Sequence, residues 1–307
     1  MENDRRWPPL PLGAWKSTRD TLHMWTQVVG KMKVELSPFQ NQLWQSALHL
    51  TARGLTTEPM PCTAGVLQAD FDFLEHRLDL ITDAGGRASV SLYPRSVADF
   101  YRETMARVAE LGVDLRINTT PQEVPSPIPF DQDEEHASYD RDAVGRWFRI
   151  LTSVSRVMWV HRSHFVGKAS PVHFFWGAFD LTATRHSGDP APVPAGKGFI
   201  YRCAENEANW AGGFWPGSGP VDYPAFFAYV VPEPPGFAAA KVSPGGAAWS
   251  AEMHEFLLPY DAVRLDADPE ARLMEFLQST YEAGATLAGW DRSRLEIDEI
   301  PHPRRAA

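Results

Sequence analysis

The chain is poor in cysteine. Cys62 and Cys203 are the only two in 307 residues and stand in no metal-ligand spacing. They read as free thiols of a reducing compartment. No stretch approaches the roughly 18 apolar residues of a membrane span. The start, Met1-Glu2-Asn3-Asp4-Arg5-Arg6-Trp7-Pro8, lacks the apolar centre of a signal peptide. A membrane partner is therefore not expected, and the expected location is the cytoplasm. Basic residues are outnumbered, 29 Lys and Arg against 39 Asp and Glu, for a net charge of −10. Nucleic acid is not expected as the main partner, because phosphate binding needs a basic face. Also missing are a Gly-x-Ser-x-Gly elbow, a phosphate loop, a Gly-x-Gly-x-x-Gly turn and a His-Glu-x-x-His pair. No cofactor and no metal are expected, and the reaction type is not readable.

The chain is long enough for one large domain or two medium ones with a real core. It holds 11 Trp, 26 Pro and 22 Gly. The Pro and Gly predict long loops. Trp offers a large rigid surface with one donor, which suits a core or a recognition cleft equally.

Trp15, Thr18, Leu22, Trp25, Val29, Met32 and Leu36 recur three and four apart, which predicts a helix over 16–36 ended by Ser37-Pro38. His23, Gln27 and Lys31 form a second, polar stripe on it. Strands are expected over 43–57, 66–73, 77–82, 88–93 and 113–118, with a helix over 96–111 stopped by Gly112. A Pro-rich acidic linker follows at 120–139. The second part reads as a helix over 140–165, strands over 173–184, within 204–231 and over 253–258, and a closing helix over 269–289. Gly212-Gly213-Phe214-Trp215-Pro216-Gly217 reads as an aromatic loop, a candidate lid.

Five pairs of anchors recur in one order. Val29-Gly30-Lys31 matches Val166-Gly167-Lys168, Trp44 matches Trp176, and Leu50-Thr51-Ala52 with Arg53 matches Leu181-Thr182-Ala183 with Arg185. Pro94 pairs with Pro259, and Phe100–Gly112 with Phe276–Gly289. The expected fold is α+β, an internal duplication of two similar halves, each mostly antiparallel sheet packed by helices. The expected domains are 1–119, the linker 120–139, 140–300, and a disordered tail 301–307.

Gly167 to Leu181 places Lys168, His173 and Asp180 in an apolar, aromatic run. Buried charge is costly unless paired or used. Strand alternation puts Phe174, Trp176, Ala178 and Asp180 on one face and His173, Phe175, Gly177 and Phe179 on the other. Lys31 and Lys168 can each complement a helix end, or together hold an anionic ligand. His23 and His173 are the candidates for proton transfer near neutral pH.

Three strings also carry a family resemblance. They are Thr21–Lys31, Thr51–Thr57 and Gly167–Leu181, with Gly213-Phe214-Trp215-Pro216-Gly217 and Tyr229–Pro234 fitting as well. The chain resembles the bacterial family called domain of unknown function 5996. The resemblance implies a soluble bacterial protein and brings no activity. Asn41-Gln42-Leu43-Trp44 stands where the family pattern has Asn-His-Trp-Trp.

The expected function is binding, or acting on, a small organic molecule, anionic where Lys31 and Lys168 hold it, in a Trp-lined cleft between the halves. Its candidate residues are His23, Gln27, Lys31, Trp44, Arg53, Lys168, His173, Trp176, Asp180 and Trp215. The alternative is a non-catalytic protein-interaction module using the Trp- and Pro-rich loops. The oligomeric state is not legible.

Overall fold

Helix α1, Leu12–Leu36, opens the computed structural model, which describes residues 5–298. Pro11 sets its start and Ser37-Pro38 its end, because proline fixes its own φ and restricts the residue before it. Every residue from Thr21 to Lys33 is buried. The polar stripe His23, Gln27, Lys31 is thus an interior face, and its polar groups need partners there.

The chain divides into two compact units. The N-terminal unit comprises residues 8–152 and 173–180. After α1 it holds strands β1 (Leu48–Leu50), β2 (Gly54–Thr56), β3 (Met60–Cys62), β4 (Gly65–Asp72), β5 (Arg77–Thr82) and β6 (Arg87–Ser91). Helix α2 (Val97–Glu110), the first half of α3 (Arg141–Ser163) and strand β7 (His173–Phe175) complete it. The strands run antiparallel in the order β7-β1-β2-β4-β5-β6, with β3 also on β4. Leu67, Ala69 and Phe71 of β4 alternate inward with Leu78 and Leu80 of β5. Trp25 of α1 stacks on Phe100 of α2 at 4.8 Å and on Tyr139 at 5.3 Å. Ser96 caps α2 by accepting from the Asp99 N–H.

The C-terminal unit comprises 5–7, 153–172 and 181–298 of the described residues. Its strands are β8 (Asp180–Pro190, joined at its first residue to the other unit), β9 (Glu207–Trp215), β10 (Ala225–Val231), β11 (Ala248–Ser250) and β12 (Glu255–Pro259). They pair antiparallel in the order β8-β9-β10-β12-β11. Its helices are α4 (Phe199–Ala204), α5 (Tyr260–Arg264), α6 (Pro269–Leu287) and α7 (Arg292–Leu295), besides the second half of α3. Asp268 caps α6 and Pro269 occupies its first turn. Leu273, Phe276, Leu277 and Tyr281 face inward from α6.

The fold is mixed α+β with extensive antiparallel sheet. Four local expectations are corrected. The strand expected over 43–57 is a 3-10 turn at Asn41–Ser46 followed by β1 and β2. Gln42 and Leu43 take left-handed backbone (φ 52° and 59°), which no strand accommodates. Residues 113–118 pair with no strand. The strand expected over 173–184 is broken by a turn at 176–179, where Phe179 has φ 64°. The face assignment based on unbroken alternation therefore fails. Finally, Gly212–Trp215 is the end of β9 and no lid. A Cβ on Gly212 would meet the Trp210 ring at 2.6 Å, and one on Gly213 would run into the Leu181 carbonyl of β8, so one glycine makes room for a ring and the other for the neighbouring strand's backbone.

Two anchor pairs of the expected duplication occupy different local structure. Lys31 lies inside α1, whereas Lys168 follows the end of α3. Trp44 lies in the 3-10 turn and Trp176 in the turn after β7. Among the described residues no helix is long and apolar enough to cross a membrane. The expected tail, 301–307, lies outside the described residues.

Candidate functional site

His49 of β1 and His173 of β7 are direct partners in an antiparallel pair. Directly opposed residues project from the same face, and the two imidazole centroids are 6.1 Å apart. Phe175 flanks the His173 ring at 4.5 Å and Trp44 at 6.4 Å. His173 is wholly buried, and neither ring nitrogen has a hydrogen-bond partner. Burial, then the charges of His49 and Lys33, push its pKa down to about 3. The ring is therefore neutral at physiological pH, with one N–H and one bare nitrogen unused. An unsatisfied buried polar group costs about 1–3 kcal/mol.

Around this pair the polar groups form a short chain toward water. His49 Nε2 lies 3.0 Å from Glu58 Oε2, and Glu58 is 55 % exposed. Lys33 of α1 is buried, donates to the Ala47 carbonyl at 2.6 Å and lies 3.7 Å from Glu58 Oε2. Burial lowers the pKa of both Lys33 and His49, and the Lys33 charge lowers that of His49 further. Gln42, Leu43 and Glu58 all carry left-handed backbone. Such strain persists only where surrounding structure holds it, and it clusters at functional sites.

A second polar set holds the scaffold. His23 Nε2 bonds the Gly177 carbonyl at 2.8 Å, and its ring packs on Phe179 at 5.2 Å. Burial lowers the His23 pKa to about 4. The Gln27 amide donates to the Gln122 carbonyl (2.8 Å) and accepts from the Gln122 N–H (2.7 Å), which fixes its orientation. His23 and Gln27 thus tie α1 to the 176–179 turn and to the Pro-rich segment. Trp176 donates to the Ser46 carbonyl at 2.7 Å and covers Gly30. Trp176 and Lys33 between them clamp the backbone just after Trp44.

The structure therefore brings His173 and Trp44 together, and separately His23 with Gln27. Trp176 belongs with the second set, and the remaining candidates stand apart from both. Lys31 is buried with its ammonium 5.8 Å over the Phe130 ring, and burial lowers its pKa. Arg53 binds Asp72 at 2.7 Å on the surface. In the C-terminal unit Lys168 is paired with Glu207 at 2.5 Å. Asp180 is buried at the start of β8. Trp215 packs against the cluster of Val221, Phe227 and Leu257.

Sequence reasoning missed Lys33, His49 and Glu58. His49 was visible as a polar residue between Leu48 and Leu50, but only strand register sets it opposite His173. Among the described residues no group of three His, Cys, Asp or Glu side chains is placed to hold a metal ion.

These features define an α+β protein with a pair of histidines, one buried and one half-buried, opposed on an antiparallel sheet. The chain belongs to the family of unknown function DUF5996, which it matches over residues 7–297. No curated protein and no solved structure matches it.

Proposed function

We propose that the protein binds a small organic acid at the His49–His173 pair. Its flat apolar part lies against Trp44 and Phe175, and its carboxylate takes the unused edge of His173. The observation that carries this reading is His173, wholly buried with both ring nitrogens unbonded. A core position filled only for packing is served better by an apolar ring. The anionic character follows from linkage. Burial and the Lys33 charge lower the pKa of both imidazoles, with Glu58 opposing them at His49, and an incoming anion acts in the opposite direction, so binding is coupled to proton uptake. His49 and Glu58 form the route to water for that proton.

The test is a titration of benzoate into the 15N-labelled protein, read on the histidine ring nitrogens. Movement of the His173 resonances toward the protonated form, absent in His173→Phe, supports the reading. Unmoved ring resonances up to millimolar benzoate reject it.

A protein-interaction role has separate support in the C-terminal unit. Trp159, Val160 and Val166 are 53, 51 and 55 % exposed. Sedimentation of wild type and Trp159→Ser over a range of concentrations tests this for self-association. A single unchanged species in both removes it.

A further inference from the structure

Away from the histidine pair, the segment before α3 holds a second arrangement of chemical interest. Asp133 is fully buried. Its Oδ1 accepts the backbone N–H groups of Glu135 and His136, both at 3.1 Å. Its Oδ2 lies 2.8 Å from His136 Nδ1. That contact fixes the tautomer: Nδ1 carries the proton and donates, leaving Nε2 as the free edge of the ring. The His136 side chain is 31 % exposed.

His136 lines a surface depression of about 400 Å³ together with Ser17, Asp20, Glu135, Ala137 and Ser138. Its frame is rigid. The His136 and Asp133 carbonyls accept the Val97 and Ala98 N–H groups at the start of α2, each at 3.0 Å. The Ser138 N–H donates to Thr21 Oγ1 at 3.0 Å, and Ser138 Oγ lies 3.2 Å from Thr18 Oγ1. Asp20 is neutralised by Lys16 at 2.5 Å and Arg19 at 2.8 Å.

An oriented imidazole, a buried carboxylate behind it and hydroxyl donors beside it are the parts that acyl transfer to water needs. We infer that Asp133 and His136 form a general-base dyad and that the depression takes a small carboxylic ester, which the dyad hydrolyses. His136 Nε2 accepts a proton from water as the water oxygen adds to the ester carbonyl carbon. The carbonyl electron pair moves onto oxygen, where the donors in the lining are the Ser17 hydroxyl and, with Thr18 donating to it, the Ser138 hydroxyl. The pair then returns, the bond to the alcohol oxygen breaks, and His136 gives its proton to the departing alkoxide. Ester and water become acid and alcohol, with no other reactant. Apart from the His136 imidazole the lining is made of Ser, Asp, Glu and Ala side chains, which suit a short acyl chain. Asp133 acts through His136 and is a positioning residue.

The experiment is hydrolysis of p-nitrophenyl acetate by the full chain over a pH series, with the buffer rate subtracted. The expected wild-type rate saturates with substrate and rises with pH through a midpoint above the ordinary histidine value, because Asp133 raises the His136 pKa. His136→Ala leaves the two backbone bonds to Asp133 in place and is expected to lower kcat/KM by about 100-fold. Asp133→Asn is expected to lower the rate and move the midpoint down. If Asp133→Asn does not fold, the His136→Ala arm decides. The control is His254→Ala, at an exposed histidine on a different unit. A wild-type rate equal to buffer, a His136→Ala rate equal to wild type, or an equal loss in His254→Ala overturns the inference.

Discussion

Gly30 of α1 and Trp176 are one packing unit, because a Cβ on Gly30 would overlap the five-membered ring of the indole. The same indole donates to Ser46. A helix-interior glycine ordinarily costs about 1 kcal/mol relative to alanine. Here it lets the ring lie on the helix backbone.

Gly30→Ala therefore destabilises the protein, by about 1–3 kcal/mol as expected for overpacking. An exposed helical glycine would instead gain stability from the same change. Urea unfolding of the variant against wild type reads the sign directly. A gain in stability would show that Trp176 does not need this approach.

His173→Phe replaces an unsatisfied imidazole by an apolar ring of similar shape. Stability is expected to stay level or rise, by up to about 2 kcal/mol. A thermal melt checks this. A loss of several kcal/mol would mean that the ring nitrogens have partners after all and would remove the main support for the binding site.

Acid destabilises the protein through its buried histidines. His23 and His173 have folded pKa values of about 4 and about 3, both below the ordinary histidine value of 6.5. For a depressed pKa the stabilising contribution is present above the unfolded value and is lost as pH falls toward the folded one. From pH 7 to 5 each histidine is expected to cost about 2 kcal/mol. Unfolding free energies at the two pH values test this; His161 and His186 add to the difference, and His173→Phe should remove about 2 kcal/mol of it.

Lys33→Met removes a charge that lowers the pKa of both His49 and His173. Both pKa values should rise, with that of His173 still below the ordinary histidine value because burial is its first cause. Histidine-ring NMR across pH measures each. An unchanged His49 would mean that the ammonium does not reach the pair.

Much of the architecture was legible in the order of residues. α1, α2, α3 and α6 follow from apolar residues three and four apart and from Pro38 and Gly112 as stops. β5 follows from alternation alone. What escaped were the places where backbone leaves the regular regions. Left-handed Gln42 and Leu43 turn an expected strand into a 3-10 turn, and left-handed Phe179 ends β7 early. A non-glycine residue gives no local signal of such a conformation, because packing around it overrides its own preference.

The sequence by itself determined the α+β class, the positions of its main helices, and the unusual load of polar groups on α1 and in the 167–181 run. Periodicity and composition act between near neighbours, so they can be read along the chain. Tertiary structure alone decided which of those polar groups meet. Strand register set His173 opposite His49, the turn at 176–179 turned Gly177 to His23, and Lys33 found Ala47 and Glu58. These are contacts between segments far apart in the chain, chosen by the packing of whole faces, and no local pattern encodes them.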